Sequence, residues 1–283
     1  MSNPNRSNLI SAAELRGRLG DPELRLADVR ASLTDPGAGR RLYSAGHLPG
    51  AFFLDLGGDL SGPVGAHGGR HPLPDMFGFA ETLRAHGVGD ESEVVAYDDS
   101  GGMFAARLWW LLRYAGLERV RVLDGGFSAW TAAGLPLTQE VVNPEPLALT
   151  LRLRPEMLAD MTEVRDRLGD GRTKLLDARA PERFRGEVEP LDKKAGHIPG
   201  ALNKPYTENL EGGLFKSPGQ LRERFADVTG GGDIILYCGS GVSAAHNALA
   251  LAEAGIGGAK LYAGSWSDWS SYDENPVETF DEN

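Results

Sequence analysis

Short apolar runs, separated by segments whose apolar positions recur at helical spacing, run along most of the chain. Residues 94–97, 120–123, 174–177, 233–238 and 260–263 have the near-continuous apolar character of strands buried on both faces. Between them, residues 104–114 and 243–254 repeat apolar side chains every three to four positions, and residues 157–168 do so with charges on the other face. Strand and helix alternating at this rhythm predict an α/β fold of parallel sheets with helices on both faces.

The pattern occurs twice. Gly46-His47-Leu48-Pro49-Gly50-Ala51 returns as Gly196-His197-Ile198-Pro199-Gly200-Ala201, and Leu26-Ala27-Asp28-Val29-Arg30 is echoed by Leu175-Leu176-Asp177-Ala178-Arg179. Val94-Val95-Ala96-Tyr97 matches Ile234-Ile235-Leu236-Tyr237, and Asp124-Gly125-Gly126-Phe127-Ser128-Ala129-Trp130 matches Ala263-Gly264-Ser265-Trp266-Ser267-Asp268-Trp269. Four blocks in one order mark a duplicated domain, which suits a length of 283 residues, about twice that of an ordinary domain. The expected division is a first domain over 1–139, a linker over 140–155 broken by Pro144, Pro146 and Pro155, and a second domain over 156–283.

Composition narrows the functional classes. A formal charge of -11 disfavours a broad nucleic-acid surface, which needs a basic face. No apolar run is long enough to cross a membrane, and Met1 to Ser7 is polar with no apolar leader core, so a soluble cytoplasmic protein is expected. The six histidines show no ligand spacing, the run Gly230-Gly231-Gly232 lacks the rest of a phosphate loop, and neither a metal nor an organic cofactor is expected. The five tryptophans sit at helical or repeat-matched positions and are read as packing in the core and between domains.

One cysteine, Cys238, cannot form an internal disulfide. It closes a strand and opens the turn Gly239-Ser240-Gly241-Val242-Ser243 before a helix, the place where open parallel sheets gather chemistry. Gly239 and Gly241 permit a tight loop with inward amides, and the helix start, with Ser243 as an expected cap, adds positive potential. Such a setting favours a thiolate or a sulfur carrying a further anionic group. The matching turn of the first copy reads Asp98-Asp99-Ser100-Gly101-Gly102, so that copy has no thiol and is expected to be inactive. A cysteine phosphatase would need an arginine six positions after the cysteine, and Ala244 stands there.

Together, the paired Gly-His-Xaa-Pro-Gly-Ala blocks, Asp124 to Trp130 and the Cys238 to Ser243 loop resemble tandem-domain sulfurtransferases of the rhodanese family, over nearly the whole chain. Gly239-Ser240 is similar to the branch that uses 3-mercaptopyruvate; thiosulfate-using members place two basic residues in this loop. The resemblance implies two rhodanese-like domains, the second one catalytic. It implies a Cys238 nucleophile that takes sulfur from a small anionic donor as a persulfide and passes it to cyanide or to a thiol such as thioredoxin or a low-molecular-weight thiol. By the same resemblance Arg183 binds the donor carboxylate, Ser240 contacts substrate or moves a proton, and Gly239, Gly241, Val242 and Ser243 surround the anion. His71 would reach the site and pair with an aspartate, although neither Asp55 nor Asp59 aligns without a shift. A second arginine expected downstream is replaced by Leu191, with Lys193 and Lys194 as nearby cations. His47 and His197, present in both copies, are read as structural. Thiosulfate turnover, or a persulfide carrier without turnover, are the alternatives.

Overall fold

A computed structural model describes residues 7–280; the polar N-terminal stretch, Ser7 apart, lies outside them. The chain divides into two compact units, one of residues 1–62 and 73–154, the other of residues 63–72 and 155–283.

In the first unit the strands are β1 (Leu9–Ile10), β2 (Leu24–Asp28), β3 (Ala51–Phe53), β4 (Glu93–Tyr97) and β5 (Val120–Leu123). They form one parallel sheet in the order β1-β5-β4-β2-β3. Its helices are α1 (Ala12–Gly17), α2 (Ala38–Ala45), α3 (Met76–Ala85), α4 (Met103–Tyr114) and α5 (Gly126–Ala132). The second unit repeats the plan with β6 (Leu158–Ala159), β7 (Lys174–Asp177) and β8 (Leu202–Asn203), then a small antiparallel pair, β9 (Leu210–Glu211) with β10 (Leu214–Phe215). It is completed by β11 (Ile234–Tyr237) and β12 (Lys260–Tyr262), in the parallel order β6-β12-β11-β7-β8. Helices α6 (Met161–Asp166), α7 (Pro181–Arg185), α8 (Pro218–Arg224), α9 (Ser243–Glu253) and α10 (Ser265–Trp269) flank this sheet. The two sheets have the same strand order, as a duplication requires.

The repeated sequence blocks are the devices that tie each sheet's carboxyl edge together. Asp28 ends β2, and its carboxylate takes the buried Arg30 guanidinium and the Tyr97 hydroxyl; Arg30 also donates to Gly46 O, and Tyr97 accepts from the Leu48 amide. In the second unit Arg179 bonds Asp177 and Gly196 O, and the Ile198 amide donates to the Tyr237 hydroxyl. His47 Nδ1 lies 2.8 Å from Tyr43 O and His197 Nδ1 lies 2.7 Å from Phe184 O, each ring stacked on that same aromatic residue. Both histidines therefore serve the fold. Four of the five tryptophans, Trp110, Trp130, Trp266 and Trp269, are among the largest fully buried side chains, and Trp109 is buried too. The Trp130 and Trp269 indoles donate to Pro136 O and Pro276 O at the same distance of 2.8 Å.

Two local expectations change. The helix expected over 157–168 is shorter: Leu158–Ala159 pairs in parallel with β12, and Asp160 then caps α6 by accepting from the Glu163 amide. Edge pairing has overridden a helical pattern at its first turn. Ser243 does not cap α9; it is the first helical residue, and the preceding Val242 is already in a right-handed helical conformation with no side-chain cap bond. No helix of the described residues is long and apolar enough to cross a membrane.

Candidate active site

Cys238 follows β11 directly and is 2% exposed. Three bonds fix its backbone to the turn after β12: its amide donates to Ser265 Oγ at 3.1 Å, while the Trp266 and Ser267 amides donate to the carbonyls of Cys238 and Gly239. Ser265 is the one non-glycine residue with positive φ among the described residues, at 56°. Its counterpart in the first unit is Gly126, at φ 55°. A serine in this conformation costs about 1 kcal/mol or more. In exchange its hydroxyl, which also donates to Tyr262 O, holds the cysteine amide.

The loop then turns over the thiol. Gly241, at φ 78°, brings its amide to 3.1 Å from Cys238 Sγ, and a side chain there would run into Ala263 O. Val242, 2% exposed, and Ser243 lead into α9. Ser240 is buried, and its Oγ lies 2.8 Å from His71 Nδ1.

Arg183 sits in the last turn of α7, a helix started by Pro181 and ended by Gly186 at φ 85°. Its Nε and Nη2 are engaged by Glu189, and Nη2 is 3.3 Å from Asp192. Glu189 in turn contacts the buried Arg179 at 3.3 Å, which ties Arg183 to the Asp177 device. The guanidinium lies beside Gly239: a Cβ on that glycine would be 3.3 Å from Arg183 Nη1.

The sequence reading did not foresee Arg70. The segment 67–71 belongs to the same compact unit as Cys238 and is held to the α10 region: Gly68 donates to Asp268 at 2.7 Å, Arg70 to Ser267 Oγ at 3.1 Å, and His67 meets Ser271 Oγ at 2.7 Å. Gly69, at φ 83°, passes so close to Gly264 O that no side chain fits. Arg70 pairs with Asp192, and its Nη2 would be 3.0 Å from a Cβ on Gly239. Burial pushes the Asp192 carboxyl above the usual carboxylate range, against the pull of Arg70. The available signal was the Gly68-Gly69 turn just before a cation and a histidine. Leu191 is half-exposed, Lys193 is exposed and Lys194 donates to the carbonyls of Tyr272 and Asp273, so the second cation beside Gly239 comes from residue 70.

The aspartates considered for His71 have local work in the first unit. Asp59 accepts from the Asp55 amide, and Asp55 from those of Gly57 and Gly58. At the turn corresponding to Cys238, the Asp98 carboxylate is fully buried and accepts four amides, from Ser100, Gly102, Phe104 and Ala105, at 2.7–2.9 Å. The first copy fills the corresponding turn with a carboxyl group of its own, whose pKa burial pushes up against the pull of the four amides. Among the described residues no cluster of His, Cys, Asp and Glu is arranged to hold a metal ion.

Two parallel sheets of one design, with a buried thiol under the Gly241 amide on one and an aspartate at the same turn of the other, define a tandem α/β protein with a thiol in one copy alone. The chain belongs to the rhodanese-like domain family, which matches residues 11–133 and 160–272. It is 46% identical over 281 residues, covering 97% of this chain and 99% of the relative, to a Pseudomonas aeruginosa protein named "Probable 3-mercaptopyruvate sulfurtransferase". It is 45% identical, over 95% of this chain and 96% of the relative, to the Mycobacterium tuberculosis "Putative thiosulfate sulfurtransferase SseB". Among solved structures it superposes on Escherichia coli SseA, described as a 3-mercaptopyruvate sulfotransferase, with a TM-score of 0.81 and 34% identity, covering 93% of this chain and 100% of that one.

Proposed function

We propose that this sulfurtransferase takes sulfur from 3-mercaptopyruvate through a persulfide on Cys238. The observation that carries the reading is the placement of the chain's one thiol under a glycine loop, with two guanidinium groups beside the next residue. In the first half-reaction the Cys238 thiolate attacks the donor sulfur. An S–S bond forms, the C–S bond breaks, and the electron pair leaves on the methylene carbon as the enolate of pyruvate. The donor's thiol proton ends on that carbon, which gives pyruvate and leaves a persulfide anion on Cys238. Ser240, bonded to His71, is the group assigned to carry this proton. Arg183 binds the carboxylate, and the loop of Gly239, Gly241, Val242 and Ser243 surrounds the anionic sulfur.

In the second half-reaction a nucleophile takes the outer sulfur and restores the thiolate. Cyanide gives thiocyanate in an assay; in the cell the acceptor is a low-molecular-weight thiol or thioredoxin, because one cysteine leaves no internal thiol to resolve the persulfide. A reducing cytoplasm suits an enzyme that works through a free thiol.

Thiosulfate is the second reading, favoured by the name of the Mycobacterium tuberculosis relative and by Leu191. Charge balance weighs against it: around the loop Arg70, Arg179 and Arg183 face Asp177, Glu189 and Asp192. Three cations against three carboxylates leave no formal excess, which penalises a dianion more than the single carboxylate charge of 3-mercaptopyruvate. The test is steady-state rates with both donors for the protein and for Cys238→Ser, with intact mass to detect one added sulfur. Loss of turnover and of the added mass in Cys238→Ser supports the mechanism. Equal rates for the variant would end it, and a higher kcat/KM for thiosulfate would reverse the donor.

A further inference from the structure

We propose that Arg70 is a donor-binding residue whose guanidinium completes, with that of Arg183, a two-armed clamp for the carboxylate end of the donor; this rests on the sulfurtransferase reading above. The case is made by which nitrogens are used. Arg183 spends Nε and Nη2 on Glu189 and Asp192, and Arg70 spends Nη1 on Asp192. The nitrogens nearest Gly239 are the others, Arg70 Nη2 and Arg183 Nη1, 3.0 and 3.3 Å from where a Cβ on that glycine would sit, with the engaged Arg183 Nη2 next at 3.6 Å. Neither of these two nitrogens has a hydrogen-bond partner among the described residues. Asp192 and Glu189, with side chains only 4% and 3% exposed, hold the back of the pair and leave its front to the residue that follows the nucleophile.

The backbone shows that this placement is built. Arg70 is a half-exposed side chain on a segment with no helix or strand, yet its amide and that of Gly68 are hydrogen-bonded to Ser267 and Asp268, and Gly69 is sterically confined to glycine. Those partners lie in α10, whose Trp266 and Ser267 amides hold the Cys238 and Gly239 carbonyls. One short helix thus aligns the nucleophile and the cation. A carboxylate has two oxygens and can accept one N–H from each of two guanidiniums, and each such charge-assisted bond is worth about ten-fold or more in affinity.

The test is donor binding in Arg70→Met and Arg70→Lys. For Arg70→Met the KM for 3-mercaptopyruvate should rise about 10- to 100-fold while kcat falls less than about five-fold, and competitive inhibition by pyruvate should weaken in parallel. Arg70→Lys retains the charge beside Asp192 and should fold even if the methionine variant does not; its single point charge should still raise KM by about five-fold. A folded variant with unchanged KM and unchanged pyruvate inhibition would overturn the assignment, as would a loss confined to kcat. Failure of the wild-type protein to acquire sulfur from either donor would instead sink the sulfurtransferase reading on which this one stands.

Discussion

Two glycines of one loop should respond to alanine in opposite ways. At Gly239 the backbone conformation is open to any residue, and the new methyl meets only the ends of flexible side chains, Arg70 Nη2 at 3.0 Å and Arg183 Nη1 at 3.3 Å. An ordinary contact is about 3.5 Å, so these nitrogens must retreat by about 0.5 and 0.2 Å. Folding should change by less than about 0.5 kcal/mol. Since a misplacement of about 1 Å can cost about a hundred-fold, half that displacement should raise KM for the donor by about ten-fold. At Gly241 alanine must adopt φ 78°, at about 1 to 2 kcal/mol, and its methyl runs into backbone, with Ala263 O and C in the way, at about 1 to 3 kcal/mol more. The sum of about 2 to 5 kcal/mol corresponds to a melting point lower by roughly 5 to 15 °C. Differential scanning calorimetry beside steady-state kinetics separates the two. A Gly239→Ala protein that melts early with normal KM, or a Gly241→Ala protein with wild-type stability, would refute the reasoning.

Asp98→Asn should destabilise by about 2 to 4 kcal/mol in chemical denaturation, since each carboxyl oxygen accepts two of the four N–H groups and an amide NH2 in place of one oxygen leaves two of them without an acceptor, while sulfur transfer per folded molecule stays unchanged. Arg179→Met leaves Asp177 buried and unpaired and should cost about 3 to 5 kcal/mol; Arg30→Met should do the same through Asp28, and an effect below 1 kcal/mol for both would contradict the role given to the repeated motif. Burial holds the His197 pKa below its usual 6.5, and that of His86 likewise, so the folded protein keeps these rings neutral where the unfolded chain takes up protons. More protons bound when unfolded means stability that is complete above about pH 6.5 and is lost as pH falls from there towards the folded pKa values. Melting temperatures across pH 5 to 7.5 should show this slope, and His197→Gln should flatten it.

Much of the fold was legible because strands buried on both faces write themselves as apolar runs. Residues 120–123 and 174–177 are strands with those limits, and the duplicated blocks mark the arginine, aspartate and tyrosine clamps at the sheet edges. The cysteine loop was legible because strand, thiol, glycines and helix are contiguous. What failed depends on distance or on local competition. Leu158–Ala159 reads as helix but finds an edge partner in β12. Ser243 looks like a cap, but Val242 has already entered the helical conformation. Arg70 and Asp192 meet only after folding, and nothing within a window around either residue says that one will face the other. The strain at Ser265 is visible only by comparison with Gly126, the residue its copy uses for the same turn.

Among their differences, the copies part at the turn after β4 and β11, which holds Asp98 in one and Cys238 in the other. Both keep the buried arginine clamp, the stacked histidine and the tryptophan bond to a proline carbonyl, so selection for folding cannot explain why one turn holds a carboxylate and the other a thiol. Asp98 satisfies its loop amides permanently, whereas Cys238 Sγ has the Gly241 amide upon it and, in the proposed reaction, acquires and loses a second sulfur. The formal charge of -11 would seem hostile to an anionic donor. At physiological salt, however, exposed charges are screened beyond about 8 Å, while groups in contact are not. In the proposed clamp, recognition falls to the guanidinium nitrogens of Arg70 and Arg183, 3.0 and 3.3 Å from the Gly239 Cβ position, and to how firmly Asp192 and Glu189 hold them. Removing one of those counter-charges, as in Asp192→Asn, should lower KM for a dianionic donor such as thiosulfate more than for 3-mercaptopyruvate; an equal effect on both donors would show that charge balance at the clamp does not set the choice.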